Sequence, residues 1–265
     1  MKIKGHHNYT FNKFFQQMNF WGMPVSIYFL FYLNEPKYFL LSLLGILFIS
    51  KLGHTIGMHR YFCHRSFETS TLKEWMMALL ATLSTTSSIL YYASVHRYHH
   101  RHSDTEQDIH DPKSLGFVKS FFFLIEPKDL PEIPRNMYKD LVQNPRVMFF
   151  HNWYWPVILF YVTLLWIVDP HLIVFCYIIP AGYSKFISGI QSTFSHLHGY
   201  KNFDTLDNSR NSIFWNWITL GEGLHNNHHY RPNEYSHDYT NKKYEFDISG
   251  RIIRYFLMEK TNSAS

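Results

Sequence analysis

Two long apolar stretches set the plan of this chain. The first runs from about Phe20 to Met58 and the second from Trp153 to about Phe194. Each is broken once by a short polar turn. Asn34-Glu35-Pro36-Lys37 interrupts the first, where Pro36 pushes Glu35 away from helical backbone. Asp169-Pro170-His171 interrupts the second. Apolar runs of this length with tight turns predict helical hairpins that cross a bilayer. The spans fall at about 14–33, 37–57, 153–168 and 171–194. The first begins near Phe14 because 20–33 alone is short for a crossing. Trp153, Tyr154 and Trp155 stand where an interfacial aromatic belt belongs.

Four spans leave both termini and the loop 59–152 on one side. That loop and the ends carry many Lys and Arg, and the opposite turns are very short, so the positive-inside rule places this side in the cytoplasm. The predicted fold class is an all-α integral membrane protein. Its four transmembrane helices form two hairpins, and a cytosolic helical cap comprises 59–152 and 196–260. The whole chain, 1–265, reads as one domain. Within the cap, 72–90 suits an interfacial amphipathic helix through Leu72, Trp75, Leu79, Leu80 and Leu83. The alternative is a fifth span, which Ser84-Thr85-Thr86-Ser87-Ser88 argues against. Lys51 and Lys185 fall within spans, toward the cytoplasmic end of each, and are expected to snorkel to that face.

Composition adds little to this picture and removes some alternatives. Net charge is +5, but the basic residues are scattered or flank apolar segments. A membrane surface fits that distribution and a nucleic acid does not. Two cysteines, Cys63 and Cys176, make no disulfide framework, and Cys63 reads as a small packing residue. The N-terminus, with Lys2, Lys4 and Lys13, lacks the apolar core and cleavage site of a signal peptide. A polar tail starts near Thr261.

The candidate chemistry lies in histidine. Of 18 histidines, eight sit in three clusters beside the apolar stretches. These are His59-Arg60-Tyr61-Phe62-Cys63-His64, His96-Arg97-Tyr98-His99-His100 and His225-Asn226-Asn227-His228-His229. Neutral imidazole is a common ligand of iron and other transition metals. The i, i+3, i+4 spacing of the second and third clusters puts three imidazoles on one helix face, so that two can hold one metal while the third reaches a neighbour. His59 and His64, five apart, would not share a face of an α-helix. The first span is therefore expected to end near His59 and the chain to bend before His64. Metal-bound histidines usually donate their other ring N–H to an oxygen acceptor. Glu222 is the foremost candidate for that role, with Asp104 and Asp108 behind it. Glu106 and Asp111 read as solvated loop residues.

The stretches HRYFCHRSF, HRYHHRHSDTEQDIHDP and GEGLHNNHHYRP resemble the three histidine boxes of membrane fatty-acid desaturases, closest to the stearoyl-CoA desaturase-like, delta-9 branch. The resemblance covers about 20–258. It implies four spans, a cytosolic cap and a non-haem centre of two iron ions held by nine histidines. Eight of these match His59, His64, His96, His99, His100, His225, His228 and His229. The ninth follows the fourth span in a segment N-x-x-x-H, which here reads Ser192-Thr193-Phe194-Ser195-His196 and assigns His196, ahead of His198. Ser192 replaces the Asn that in the family often reaches one iron through water. His54, His102, His110 and His237 match no ligand position and are expected to pack or to be solvated.

The resemblance further implies O2 as co-substrate and a cis double bond as product. The family's reduced iron pair supplies chemistry that no side chain can, since an unactivated alkyl chain must lose hydrogen. A tunnel between spans and cap would measure the acyl chain, with Trp75, Met76, Leu79, Tyr91, Tyr92 and Trp215 as candidate linings. The Arg-Asp pair and paired Arg that animal acyl-CoA desaturases carry around the second box are Ser94, Val95 and a lone Lys113 here. Acyl-CoA, acyl-lipid and acyl-carrier-protein substrates therefore stay open, with Arg97, Arg101 and Lys113 as possible phosphate contacts. No electron-transfer domain is evident, so a separate donor such as cytochrome b5 or a ferredoxin is expected, drawn to the basic cytosolic face. The membrane could be endoplasmic reticulum or a bacterial-type inner membrane. Two other classes are weighed: a membrane di-iron hydroxylase, and a metal transporter, which would place ligands at mid-membrane.

Overall fold

A computed structural model describes residues 9–123 and 132–259. The signal-peptide reading of Lys2 and Lys4 and the tail from Thr261 lie outside the described residues. Among the described residues the protein is helical, with only isolated bridges pairing Tyr200 with Asn211 and Asn211 with Leu224. The long elements are α1 (Tyr9–Leu33), α2 (Pro36–Cys63), α3 (Thr71–Leu83), α4 (Ile89–His102), α5 (Pro145–Asn152), α6 (Tyr154–Val168) and α7 (His171–Leu197). Two short helices, α8 (Ile213–Thr219) and α9 (His225–Tyr230), complete the frame of the site.

Local chemistry explains the boundaries. Pro36 stands in the first turn of α2, where its missing N–H costs nothing. Ser70 caps α3 by accepting from Lys73 N, and Ser88 caps α4 by accepting from Tyr91 N. The end of α2 departs from the sequence expectation. Its second part, Ile46–Cys63, is a wide i→i+5 helix that runs past His59 without a bend. His64 N donates to His59 O at 3.2 Å. A ladder of that register stacks residues five apart, so His59 and His64 do share a face. Their rings lie 4.9 Å apart.

Among the described residues two helices are long and apolar enough to cross a membrane, α2 and α7. The pair α5 and α6, bent by 69° at their junction, makes a third if counted as one span. Helix α1 has 25 residues, with Pro24 inside it. α3 has 13 residues, about 20 Å at 1.5 Å per residue, too short to cross a core of about 30 Å. It is amphipathic: Met77, Ala78 and Ala81 are fully buried while Leu72 and Leu79 are exposed.

α3 and α4 both pack on α2, and α7 packs between α1 and α2. At the α2–α3 crossing Gly53 lies against the Leu80–Ala81 backbone, and a Cβ there would stand 2.8 Å from Ala81 N. The main core joins α2, α3, α4 and α5 through Ile56, Met58, Met77, Ile89, Ala93 and Val147.

The lysine expectation is corrected. Lys51 and Lys185 do not snorkel; they are 1% and 2% exposed. Lys51 Nζ donates to Thr219 O at the end of α8. Lys185 Nζ donates to Thr85 Oγ1 at 3.0 Å, Ala181 O at 3.3 Å and Ser84 O at 3.4 Å. Protein carbonyls and a hydroxyl receive both ammonium groups inside the fold, tying α2 to the end of α8 and α7 to the α3–α4 loop. The loop Ser84–Ser88 that receives Lys185 is itself buried throughout.

Candidate metal centre

The nine histidines singled out above come together in two sets. One comprises His59, His64, His96, His100 and His228, and the other His99, His196, His225 and His229. Within each set the potential ligand atoms lie within 4.8 Å of one another. Helix periodicity produces the partition. On α4, His96 and His100 sit four apart and enter the first set, while His99 turns to the second. On α9 the roles reverse: His225 and His229 enter the second set and His228 the first. α2 contributes His59 and His64, and His196 follows the break in α7 at Thr193. The sets adjoin, with the His100 and His229 rings 4.3 Å apart.

Four Nε2 atoms of the first set form a closed ring. His59 to His96 is 3.1 Å, His96 to His100 3.0 Å, His100 to His228 3.0 Å and His228 to His59 3.1 Å. A regular square of that side has its centre roughly 2.1–2.2 Å from each corner, close to the bond length of imidazole nitrogen on a divalent transition metal. In the second set His196 Nε2 and His225 Nε2 are 3.1 Å apart. His64 Nε2 and His229 Nε2 are buried with no hydrogen-bond partner.

Carboxylates fix which nitrogen faces inward. His99 Nδ1 donates to Asp108 at 2.9 and 3.1 Å, His196 Nδ1 to Asp104 at 2.9 Å and His229 Nδ1 to Asp207 at 2.6 Å. His59 Nδ1 lies 3.3 Å from Glu222. A neutral imidazole that donates through Nδ1 presents a bare lone pair at Nε2. Converging lone pairs repel, and a bound cation removes that repulsion, so the donor set fits a pair of transition-metal ions. Burial, then the neighbouring imidazoles, hold His96, His100, His225, His228 and His229 well below the ordinary histidine value. His99 is lowered likewise, by burial and then by His110 and His196. Burial pushes the Asp104 carboxyl up, but hydrogen bonds from His196 and Asn208 outweigh it and hold it at about 2. Burial also raises Glu222, and the adjacent Arg60 guanidinium brings it well below the carboxylate range.

Other residues brace the ligands. Arg60 is buried and pairs with Glu222, with Asp247 Oδ2 at 2.6 Å and with Tyr235 O at 2.8 Å. Gln191 Nε2 donates to Glu222 Oε2 at 3.0 Å. The asparagines between His225 and His228 turn away from the ligands. Asn227 Oδ1 accepts from Asn202 and Asn211, each at 2.8 Å, and its Nδ2 donates to His237 O at 2.8 Å. Sequence reasoning missed Asp207, Arg60 and Asp247. Arg60 adjoins a candidate ligand, and Asp207 lies in the polar loop after α7; a count of anions against histidines would have sought one more carboxylate.

Ser192 is not drawn to the histidines. Its Oγ donates to Ser120 O at 3.1 Å and to Gly189 O at 3.2 Å. The non-ligand histidines are placed as follows. His54 is buried between two hydroxyls, His110 packs at a tilt against His99 with centroids 3.9 Å apart, His102 lies against Tyr98 at 4.4 Å and His237 is buried beside His228 at 4.8 Å.

A cavity opens on the histidines, lined by Tyr91, Tyr92, Val95, Phe121, Phe123 and Ser188 together with His96, His99 and His225. Tyr92 stacks on His96 with ring centroids 5.7 Å apart. Trp75 lies elsewhere, against Phe149 and Phe150, and Leu79 lines a separate apolar groove between α2 and α6. Trp215 packs on Phe194 at 4.7 Å. Arg97 is corrected as a phosphate contact. Its guanidinium binds Asp140, Phe62 O, Cys63 O and Met137 O at 2.7–3.0 Å, which leaves it a clamp on the cap. Lys113 and Arg101 are exposed.

The comparisons with known proteins accord with this geometry. The family model "Fatty acid desaturase" matches residues 36–241. A "Probable acyl-CoA desaturase" of Schizosaccharomyces pombe is 30% identical over 75% of this chain and 43% of its own length. A "Delta-9 acyl-lipid desaturase 2" of Arabidopsis thaliana is 27% identical over 84% of this chain and 75% of its own. An "sn-1 stearoyl-lipid 9-desaturase" of Anabaena variabilis is 28% identical over 77% and 74%. The chain thus spans less than half of the first relative and about three quarters of the other two. The chain belongs to the fatty acid desaturase family.

Proposed function

We propose that this chain inserts a cis double bond, of the delta-9 type, into a saturated fatty acyl chain, using O2 and two electrons from a separate donor. The observation that carries the reading is the convergence of nine histidine nitrogens in two adjoining sets beside an apolar, aromatic-lined cavity. In this reading His59, His64, His96, His100 and His228 hold one iron ion, and His99, His196, His225 and His229 the other. When bound, the metal pair supplies the oxygen activation that removes hydrogen from an unactivated chain.

The protein's own residues do the rest. Asp108, Asp104 and Asp207 hold ring protons at Nδ1 and so keep each of those Nε2 atoms free to bind, while Glu222 sits 3.3 Å from His59 Nδ1. Tyr91, Tyr92, Val95, Phe121 and Phe123 receive the acyl chain and keep bulk water from it. Val95 and Tyr92, on the face of α4 that carries His96 and His99, orient the reacting carbons toward the ligands.

The same reading covers topology. Four crossings, α1, α2, α5–α6 and α7, would carry a cytoplasmic cap, the chain acting as one domain in the endoplasmic reticulum or a bacterial-type inner membrane. Exposed Trp21, Tyr28 and Phe31 on α1 and Phe160, Trp166 and Ile167 on α6 support it, since such apolar faces suit lipid. The relatives' names include acyl-CoA and acyl-lipid desaturases, and either carrier is compatible with this cavity. Cytochrome b5 or a ferredoxin would supply the electrons.

Expression in desaturase-deficient yeast tests the activity. New monounsaturated fatty acids, with the bond located by mass spectrometry of adducts, are expected, and none from a His228→Ala variant. Hydroxylated lipid instead would move the chain to the hydroxylases.

A further inference from the structure

The loop 203–207 joins the protein surface to a candidate metal ligand in one step. Asp207 Oδ2 accepts from His229 Nδ1 at 2.6 Å, and Leu206, the residue before it, is wholly exposed at 111%. In a loose segment such exposure would carry no information, but this loop is bolted to α9. Asn226 Oδ1 accepts from the backbone N–H of Asn202 at 2.8 Å and of Phe203 at 2.9 Å, and Asn226 Nδ2 donates to Phe203 O at 3.1 Å. Asp207 Oδ1 accepts from Thr205 Oγ1 at 2.9 Å and from Ser209 N at 3.0 Å. Tyr230, the residue after His229, is 46% exposed and stacks flat on the Phe203 ring with centroids 4.1 Å apart. Leu206 and Tyr230 thus form an apolar tip on the side of His229 that Asp207 holds, away from its set.

Cations surround this tip. Lys201 Nζ donates to Asp207 O at 2.7 Å, Arg210 Nη1 to Gly199 O at 3.2 Å and Lys242 Nζ to Asn202 Oδ1. The Arg231 guanidinium lies over the Tyr230 ring at 5.8 Å and the Tyr239 ring at 5.3 Å. Against them stand Asp204 in the loop and Glu234, 3.8 Å from Arg231. Four cations and two anions leave the surface positive. This separates it from the exposed apolar face of α6, whose sequence holds no charged residue and suits lipid. An apolar tip inside a positive ring fits a protein with an acidic face.

We propose that the loop 203–207, with Tyr230 and Arg231, is the docking site of an acidic one-electron carrier protein, and that electrons enter the second histidine set through Asp207 and His229. The inference rests on the desaturase reading. Converting –CH2–CH2– and O2 to –CH=CH– and two waters consumes two electrons, and two protons from solvent, besides the two hydrogens taken from the chain. A one-electron carrier therefore docks twice per turnover. At each docking the carrier is oxidised by one electron and the metal pair that the histidines would hold is reduced by one. Tunnelling weakens steeply with distance, so a productive dock lies where the surface comes close to a ligand. From Leu206 the ligand is one residue and one hydrogen bond away. The positive ring speeds encounter with an acidic partner, and a small apolar contact lets the carrier leave between electrons.

The test uses the full chain in nanodiscs of uncharged lipid, with Leu206→Ser, Arg231→Glu and Lys242→Glu variants. Lys37→Glu, at the opposite end of α2 from His59, is the control. Binding of soluble cytochrome b5 and of a plant-type ferredoxin, both acidic, is measured on metal-free protein at low ionic strength. At least one carrier should bind, and its Kd should rise about tenfold in each of the three variants but not in the control. Added salt should weaken wild-type binding more than that of Arg231→Glu. Failure of both carriers to bind, or binding that the three variants leave unchanged, overturns the dock. So does a Leu206→Trp variant whose added fluorescence is quenched by brominated lipid, because the loop would then lie in the bilayer. In iron-loaded protein the three variants should raise the KM for the carrier and leave the KM for the acyl substrate unchanged. Alkene formation with an unchanged carrier KM refutes the dock alone. Carrier binding that the variants weaken, with no alkene from the wild-type chain, supports the dock and refutes the desaturase reading, so the two failures are separable.

Discussion

At the residue scale, one nitrogen of each ligand candidate faces its set; three of the nine hydrogen-bond the other to a carboxylate, and that of His59 lies 3.3 Å from Glu222. Six of the eight box histidines were legible because i, i+3, i+4 spacing leaves a mark that a polar loop does not, and His59 and His64 because they cluster beside a span. His196 emerged only through family resemblance, since a lone histidine after a span has no such pattern. Asp207 left no periodic trace at all, yet it lies 2.6 Å from His229 Nδ1. Asp207→Asn should therefore weaken metal retention about 10–100-fold, measured by chelator competition, while Asp238→Asn should not. The imidazoles also dictate a pH response. His96, His99, His100, His225, His228 and His229 are held below 6.5 in the fold, by burial first. The unfolded chain then binds more protons below that value, so stability falls as pH drops through it. The melting temperature of metal-free protein should decline between about pH 7 and pH 5, and a flat profile would count against the burial of these rings.

At the element scale, the apolar runs foretold helices where α1, α2, α6 and α7 lie, with α1 beginning five residues earlier and α2 running six residues further than expected. They did not foretell how α2 ends. Pattern reading assumes α-helical register, and the i→i+5 ladder of Ile46–Cys63 turns a spacing that looked broken into a shared face. Nor could they foretell the partners of Lys51 and Lys185, which come from α8 and from the α3–α4 loop, distant in sequence. The crossing of α2 and α3 is the tightest constraint on the pair. Gly53→Val would drive a side chain into the Leu80–Ala81 backbone. It should destabilise the protein by about 1–3 kcal/mol or more, read as a lower melting temperature in detergent. Thr55→Val, on the same helix, should change it little.

At the scale of the whole molecule, α7 packs between α1 and α2 while α3 and α4 pack on α2, and the histidines gather where these helices meet the shorter ones. Four separate helices, α2, α4, α7 and α9, each end or begin at the centre, so no ligand set is local in sequence. That arrangement explains why the boxes are far apart in the chain and why each contributes to a common site only after folding. It also sets the strongest test. Iron should be quantified in purified, iron-reconstituted protein, alongside His228→Ala and His225→Ala, which strike the two sets separately. The account predicts two iron atoms per wild-type chain and a loss from each variant, with the fold retained by circular dichroism. A wild-type chain that binds no iron, or that keeps its full complement after either substitution, would contradict it.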